Sequence, residues 1–462
     1  MVTTYPPYGP RVTDVSSSRV RKPRPTAPGP RQADPNTFYI CRMSFLRRQL
    51  VTAALTANAI RPVPGFRAGI PSFAAGWLTS ELAPHLLALT AADAAAHVRG
   101  GRRSRAGLAF AAASLAGQAF LVDQARRVRT DAEDALVEGL GYDYIEQLDA
   151  KPTPAELAVP WRRLVNPFRM RDLAVRVDKD IAYAPEHGKR GLLDVYRPAE
   201  GELSGAPVLL QVHGGGWTIG NKDQQGLPLM HHLAAKGWVC VAINYRLAPR
   251  DPFPAQIVDV KRAIAWIREH IEEYGGDPDY IAITGGSAGG HLTALAAVTA
   301  NDPAYQPGFE GADTSVAVAI PHYGVYDFAG CTGLRSAEQM RDRFLAPRVV
   351  KRSWAEDPEV FEAGTPLLRV GKDAPDFFVL HGAHDSLVSV EQARLFVQRL
   401  REVSGATVVY AELPGAQHAF DVFPSIRSQH VVRAIDRYLH WHWNGWRREH
   451  GVPAPTAEAG EG

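Results

Sequence analysis

The chain has 462 residues, enough for one large domain with appendages or for two domains. Its 51 basic and 49 acidic residues give a formal net charge of +2, so its overall charge attracts neither nucleic acid nor acidic lipid. The cysteines Cys41, Cys240 and Cys331 are too few for a disulfide framework or a structural zinc site, and we expect no metal.

The first 42 residues are rich in proline, arginine and serine and contain hardly any apolar runs. Such a segment buries too little surface to offset its ordering entropy, so residues 1–42 are predicted to be disordered. A helical pattern begins at Met43, and two interpretations stay open: a natural start at Met43, or a tail that is a true linker. Small and polar residues at 446–462 predict a second tail.

Residues 43–175 are rich in alanine and leucine and predict an extra helical region, either a cap or a membrane-associated segment. Its two most apolar stretches, 82–96 and 107–122, flank the basic sequence RGGRRSR, a layout typical of a membrane hairpin. As a helix, however, the second stretch spans only about 24 Å of a ~30 Å hydrocarbon core. Helices packed over a soluble domain are the alternative. Location at the cell envelope or membrane, or else in the cytoplasm, therefore stays open.

Short β-branched runs alternate with helical patterns from residue 176 to 445. Several of these runs lack in–out alternation, as expected for parallel strands covered on both faces. The alternation predicts a doubly wound, mostly parallel α/β sheet. Strands are predicted at 180–184, 191–197, 207–213, 238–244, 280–286, 316–323, 377–382 and 407–413. Helices are predicted at 224–236, 254–274, 288–300, 390–403 and 426–442.

The stretch TGGSAGGH places Ser287 between a predicted strand and a predicted helix. Gly285 and Gly289 complete the pattern G-x-S-x-G, in which glycine removes the Cβ where a sharp strand-to-helix turn leaves no room. The start of the helix directs free N–H groups toward the serine. A plain glycine-rich turn would have the same local sequence, so the chemistry depends on partners elsewhere in the chain.

A serine nucleophile needs a base, and the base needs an acid to orient it. Asp385 follows one late predicted strand and His418 follows the next, in the order serine, acid, histidine that suits this architecture. Other acids and histidines fit less well. Asp421 is too close in sequence to His418, and Asp376 precedes its strand. His291 is interpreted as structural and His381 as packed, and His384 is adjacent to Asp385 in sequence and could hardly be oriented by it.

The sequence LLQVHGGGWTIG follows an early strand and offers three glycines, 214–216, whose backbone N–H groups could face a reacting carbonyl oxygen. A phosphate-binding loop is excluded because neither G-K-[ST] nor G-x-G-x-x-G follows this strand. His213 is predicted to hold the loop in shape, and Trp217 is predicted to line the substrate pocket.

The motifs HGGGW, NYRLAPRDPFPA, GGSAGG, HGAHDSLV and QHAF, in this order, resemble the hormone-sensitive-lipase-like carboxylesterases of the α/β-hydrolase fold, an actinobacterial type by composition. The resemblance covers roughly residues 176–445. It implies hydrolysis of carboxylic esters with short to medium acyl chains, and no metal or organic cofactor. The residues that it assigns are Ser287 as nucleophile, His418 as base, Asp385 as orienting acid, and Gly215, Gly216 and Ala288 as oxyanion-hole donors.

Two positions depart from the family pattern. Gly286 stands where the family often has aspartate, and Ser386 and Leu387 stand where a glutamate often follows the triad acid. The family also carries a helical cap, for which 43–172 and 324–365 are the candidate segments.

The leaving group is chosen by the pocket, so an amidase, deacetylase or acyltransferase with the same triad stays an alternative. A non-catalytic binding protein on this scaffold is the least favoured interpretation, because both triad partners are present. The expected partner is a small-molecule ester or lipid, with no nucleic acid, and the oligomeric state is open.

Overall fold

Eight strands form one sheet in the computed structural model, which describes residues 43–63, 65–102 and 104–453. The strands are β1 (Val175–Ala182), β2 (Leu192–Pro198), β3 (Ala206–Val212), β4 (Val239–Ile243), β5 (Gly276–Gly286), β6 (Val318–His322), β7 (Asp376–Gly382) and β8 (Val408–Leu413). Their order in the sheet is β1-β2-β4-β3-β5-β6-β7-β8. Strands β4, β3, β5, β6, β7 and β8 run parallel to one another, whereas β2 pairs antiparallel with both β1 and β4. The predicted, mostly parallel α/β-hydrolase sheet is therefore confirmed.

Helices precede the sheet and cover both of its faces. The α-helices in the described part of the chain are α1 (Phe45–Ile60), α2 (Phe66–Glu81), α3 (Ala83–Arg99), α4 (Arg105–Leu140), α5 (Pro154–Leu157), α6 (Trp161–Val165), α7 (Leu227–Ala234), α8 (Ala255–His270), α9 (Ala288–Val298), α10 (Arg335–Met340), α11 (Pro358–Ala363), α12 (Pro366–Arg369), α13 (Val390–Val403) and α14 (Ile426–His450). A π-helix, Arg341–Val350, follows α10 directly.

The central strands are buried on both faces. Every residue of β3 and β4 is buried, which explains why the sequence of these strands shows no alternation. Leu210 and Val212 belong to the core on the face covered by α8 and α9. Leu209 and Cys240 belong to the core on the opposite face, together with residues of α14 and α4.

Two predicted boundaries differ from the structure. Helix α14 continues to His450, where Gly451 ends it with a φ of 68°, so the tail predicted from residue 446 starts too early. The apolar stretch 107–122 is only the first half of α4, whose 36 residues extend about 54 Å. The predicted tail over 1–42 lies outside the described residues.

The second half of α4 joins the N-terminal helices to the sheet. Val128, Ala132 and Leu136 lie in the same core as Val409 of β8. A Cβ placed on Gly139 would lie 2.6 Å from Val409 Cγ2, so only glycine allows this close approach of helix and strand. Residues from Phe45 onward form one compact unit, and the boundary placed at 175 stays a prediction.

A buried ion pair joins α2 to α14. Arg427 donates to Glu81, and both side chains are excluded from solvent. Ser425 Oγ donates to the second carboxylate oxygen of Glu81 at 2.6 Å. Removing one partner of such a pair leaves an uncompensated buried charge, at a cost of about 3–5 kcal/mol. The pair therefore holds the C-terminal end of α2 firmly on helix α14 of the hydrolase domain.

Candidate active site

Ser287 lies at the tip of a strained turn between β5 and α9. Its φ of 59° and ψ of −121° place a non-glycine residue in a region that L-residues rarely adopt. A Cβ on Gly285 would lie 2.5 Å from the Val212 carbonyl oxygen, and one on Gly289 would lie 2.1 Å from the same atom. The two glycines are therefore required because the end of β3 passes directly behind the serine.

Asp385 and His418, which the sequence places 33 residues apart, meet at the carboxyl ends of β7 and β8. The distance from His418 Nδ1 to Asp385 Oδ2 is 2.6 Å, and the aspartate side chain is fully buried. Its other oxygen, Oδ1, accepts the backbone N–H groups of Leu387 and Val388, each at 2.8 Å. These contacts fix the carboxylate so that it can orient the histidine ring.

A second histidine faces the same carboxylate. His381 Nε2 lies 3.3 Å from Asp385 Oδ2 and 3.1 Å from the Val388 carbonyl oxygen. Burial alone raises the pKa of Asp385, but His418 and His381 outweigh it, so this pKa lies well below its usual range. His381 is packed, as predicted, and it also faces the acid directly, a contact that its position at a strand end did not reveal.

His418 Nε2 is the nitrogen that a serine nucleophile would use. Within the part of the chain that the structure describes, no protein atom forms a hydrogen bond with it. Two aromatic rings border the imidazole: Phe73 of α2 meets it edge-on at 5.7 Å, and the Tyr323 ring lies 4.6 Å away. Because the ring is held through Nδ1, Nε2 stays available to a substrate or hydroxyl proton.

The glycine loop after β3 is held through Gly214, while the N–H groups of Gly215 and Gly216 stay free. Gly214 N–H donates to Gln225 Oε1 at 2.7 Å, and His213 Nδ1 donates to the Gly214 carbonyl at 2.7 Å. Burial lowers the pKa of His213 to about 4, so its ring is neutral and shapes the loop, as predicted. The backbone N–H groups of Gly215, Gly216 and Ala288 donate to no acceptor among the described residues. These N–H groups can therefore serve an oxyanion.

Trp217 does not have the position that the sequence suggested. Its side chain is only 2% exposed and lies in the core below the loop. The indole Nε1 donates to His291 Nδ1 at 3.2 Å, and the Phe328 ring packs edge-on at 5.5 Å. Because its N–H has a buried partner, Trp217 anchors the glycine loop and does not line a substrate pocket.

A second acid–histidine pair lies directly behind the nucleophile turn. Asp421 Oδ2 is 2.6 Å from His322 Nδ1, and the Tyr323 hydroxyl donates to Asp421 Oδ1. The His322 carbonyl in turn accepts the Ser287 N–H at 3.0 Å. The network links the backbone of the nucleophile to the tyrosine beside His418. Asp421 is 99 residues from His322 and 98 from Tyr323 in sequence, so no local signal could have grouped the acid with them.

This network also accounts for Gly286. A Cβ at residue 286 would lie 2.5 Å from the Tyr323 hydroxyl oxygen and 2.7 Å from ring carbons. The tyrosine therefore occupies the space into which an aspartate at this position would extend. The departure from the family pattern has a steric cause.

Replacing Gly286 with alanine is expected to lower kcat by about 10²-fold, because either the turn or Tyr323 must move by a large fraction of an ångström. Steady-state kinetics on a soluble ester measure this effect. Gly445→Ala on α14, where a Cβ meets nothing within 4 Å, is the control and should keep full activity. A folded Gly286→Ala enzyme with unchanged kcat would contradict the steric account.

Both segments predicted as cap approach the site. From α2, Phe73 contacts His418, and the Gly69 carbonyl accepts Ser386 Oγ at 3.2 Å. From the π-helix, the ring of Phe344 lies against the glycine loop, since a Cβ on Gly216 would be 3.0 Å from its Cζ. The sequence predicts the cap segments but neither Phe73 nor Phe344, because the sequence of a single helix does not indicate which of its faces meets a distant loop.

The chain is similar to known carboxylic ester hydrolases. A family model described as BD-FAE matches residues 193–400. The probable carboxylic ester hydrolase LipM of Mycobacterium tuberculosis is 46% identical over 412 residues, 84% of this chain and 91% of LipM. Esterase LipQ of the same organism is 51% identical over 261 residues, 56% of this chain and 61% of LipQ.

A solved structure supports the fold. An inhibited esterase B from Lactobacillus rhamnosis covers 63% of this chain and 93% of its own, with a TM-score of 0.50 and 19% identity. At that identity the likeness concerns the arrangement of strands and helices.

Proposed function

Because this chain belongs to the hormone-sensitive-lipase-like family of carboxylic ester hydrolases, we propose that its esterase reaction proceeds through an acyl-enzyme on Ser287. The observation that carries the proposal is the 2.6 Å contact between His418 Nδ1 and a buried Asp385, which leaves Nε2 as the only ring nitrogen able to act as base. The strained turn presents Ser287 at the carboxyl end of β5, the edge of the sheet at which Asp385 and His418 also lie.

In this mechanism Ser287 Oγ forms a bond to the ester carbonyl carbon, and its proton passes to His418 Nε2. The carbonyl oxygen becomes an oxyanion and accepts from the free N–H groups of Gly215, Gly216 and Ala288. His418 then gives its proton to the leaving alcohol as the C–O bond breaks. A water molecule clears the acyl-enzyme by the same steps in reverse.

Phe344 supports a preference for short to medium acyl chains. Its ring lies against Gly216 and so limits the space beside the position of the oxyanion. A longer chain would have to displace this ring or avoid it. We therefore assign Phe344 as the residue that restricts acyl-chain length.

Phe344→Ala is expected to raise the ratio of kcat/KM for long over short p-nitrophenyl esters by about tenfold, since each extra buried methylene is worth about 0.8 kcal/mol. A series from acetate to decanoate measures the ratio. Phe309→Ala, which removes a ring that packs on Arg262, is the control and should keep the wild-type profile. An unchanged profile in Phe344→Ala would contradict this role, and amide turnover exceeding ester turnover would contradict the substrate class.

A further inference from the structure

Three helical segments form a bundle that precedes the hydrolase domain. This bundle consists of α1, α3 and residues 105–122 of α4. At one end Phe45 stacks on His97 at 3.8 Å, and a Cβ on Gly107 would touch the Phe45 ring. At the other end Ala59, Ala83 and Leu121 pack together. With 16 to 18 residues each, the segments are about 24–27 Å long.

The interior of the bundle contains small and polar residues. Gln118 is fully buried and donates to Thr90 Oγ1 at 3.2 Å. Ser114 and Thr56 are also buried, and the hydroxyl of each donates a hydrogen bond to the backbone carbonyl one turn earlier in its own helix. A Cβ on Gly117 would lie 2.6 Å from the Thr56 methyl group. Close contacts between small residues and polar contacts between helices are typical of helix packing inside a membrane.

The outer surface of the bundle is apolar. After Arg105, the exposed residues of 105–122 are six alanines and two phenylalanines. On α3 before Arg99, they are five alanines, Leu89 and Val98, with Leu89 65% exposed. The exposed residues of α1 that follow its two arginines are likewise apolar. A helix of a soluble protein presents polar residues to water, so this bundle has the opposite polarity.

The apolar surface ends where α4 meets the hydrolase domain. From Asp123 onward the exposed face of the same helix carries Arg126, Arg127, Arg129 and Thr130. Taken singly, α4 is the one described helix long and apolar enough to cross a membrane, with 28% of its apolar window buried. Helices α1 and α3 are slightly shorter, with 16 and 17 residues, and could cross only as its partners in the bundle. A core helix of a soluble protein passes the same test when it is mostly buried, whereas most of this window is not buried.

Charged residues mark both ends of the bundle. Arg47, Arg99, Arg102 and Arg105 gather at the end distant from the catalytic domain, together with the Arg48–Asp93 pair at 2.6 Å. Near the catalytic domain, residues 161–171 alternate arginines with the exposed Trp161 and Phe168. Phe168 contacts Phe423, which contacts Trp77 of α2, so this segment adjoins the cap. Tryptophan interleaved with arginine is typical of a membrane–water interface.

We propose that the three-helix bundle spans a lipid bilayer. Its arginine end lies among anionic headgroups on the cytoplasmic side, because basic loops stay on that side. Three crossings place the catalytic domain on the opposite surface, with residues 161–171 in the headgroup layer. The bundle length is at the lower limit for a hydrocarbon core of about 30 Å, and the flanking arginines can reach the headgroups on long side chains.

Membrane fractionation of the full chain expressed in a bacterium tests the proposal. We expect the chain to stay in membranes after a carbonate wash. Ala112→Glu/Ala116→Glu, both exposed on the apolar half of α4, should lower the membrane fraction at least tenfold. Arg126→Glu/Thr130→Glu, with the same spacing on the charged half, should leave it unchanged. Esterase activity on a soluble ester reports folding in every fraction.

Two outcomes would overturn the proposal. A full chain that is monomeric and soluble without detergent would show that water tolerates the apolar surface. A soluble dimer that Ala112→Glu/Ala116→Glu splits into active monomers would show that a second copy covers it.

Orientation is tested with one added cysteine at a time in a Cys41→Ser/Cys331→Ser background, in which the remaining Cys240 is buried. Glu200→Cys, on the hydrolase surface, should react with an impermeant maleimide in intact spheroplasts. Arg102→Cys, at the distant end of the bundle, should react only after lysis. Reaction of both sites from outside would contradict a spanning bundle, and the reverse pattern would contradict its orientation.

Discussion

Replacing Ser287 with alanine is expected to lower kcat by on the order of 10⁶-fold while the enzyme stays folded. The hydroxyl is the only group of the turn that can form the acyl-enzyme. The residual rate comes from substrate binding and from the N–H groups of the glycine loop. Initial rates on a p-nitrophenyl ester, together with Tm, measure the two effects separately.

Labelling with a fluorophosphonate probe provides the control for this variant. The wild-type enzyme and Ser353→Ala, which removes an exposed serine of the cap, should both take up the probe. Ser287→Ala should take up none. Labelling of Ser287→Ala at the wild-type rate would show that another residue is the nucleophile.

Replacing Asp385 with asparagine is expected to lower kcat by about 10⁴-fold. The N–H groups of Leu387 and Val388 hold the amide oxygen, so the amide NH₂ faces His418 Nδ1 as a donor and imposes the wrong tautomer. Since the pKa of Asp385 lies well below its usual range, the wild-type carboxylate stays ionised throughout the assayable acid range. The loss is therefore measured against a wild-type enzyme whose Asp385 is fully ionised. Initial rates of both enzymes at pH 7, together with Tm, measure it.

Asp421→Asn is the matched comparison, since the Asp421 side chain is only 16% exposed and also faces a histidine at 2.6 Å. It contacts His322 and Tyr323, which support the turn from behind. We expect a loss of only about 10–100-fold from this indirect effect. A larger loss of kcat in Asp421→Asn than in Asp385→Asn would show that Asp421, and not Asp385, is the acid of the triad.

Removing Asp385 should also change stability with pH. A carboxyl whose pKa is depressed in the folded state stabilises that state above its unfolded pKa, near 4, and loses this contribution as the pH falls further. The wild-type advantage over Asp385→Asn in the free energy of unfolding should therefore be largest near neutrality and shrink below pH 4. Denaturant titrations at pH 7 and pH 3 measure it.

The sheet could be predicted from local sequence because parallel, doubly covered strands leave a strong pattern. Residues of β3 and β4 are apolar on both sides, and the predicted strands differ from the observed ones by a few residues at the ends. The pairing of Asp385 with His418 could also be expected. In a parallel sheet the carboxyl ends of successive strands meet at one edge, so residues that follow β7 and β8 become neighbours.

Residues that act across elements could not be predicted. Trp217 was expected in a substrate pocket, yet its N–H finds a buried partner on α9. Phe73 and Phe344 come from helices remote in sequence, and neither helix indicates which face meets the site. Nothing near Gly286 in sequence indicates that Tyr323 fills the space beside it.

Residue types and their spacing are enough to predict the α/β-hydrolase sheet, the nucleophile turn and the order of the triad candidates. These features depend on residue type and spacing along a strand or turn, which are local properties. The packed fold adds how the nucleophile is supported, what covers the site, and that the N-terminal bundle is polar inside and apolar outside. Those features depend on which side of each element faces a partner, and packing alone selects that side.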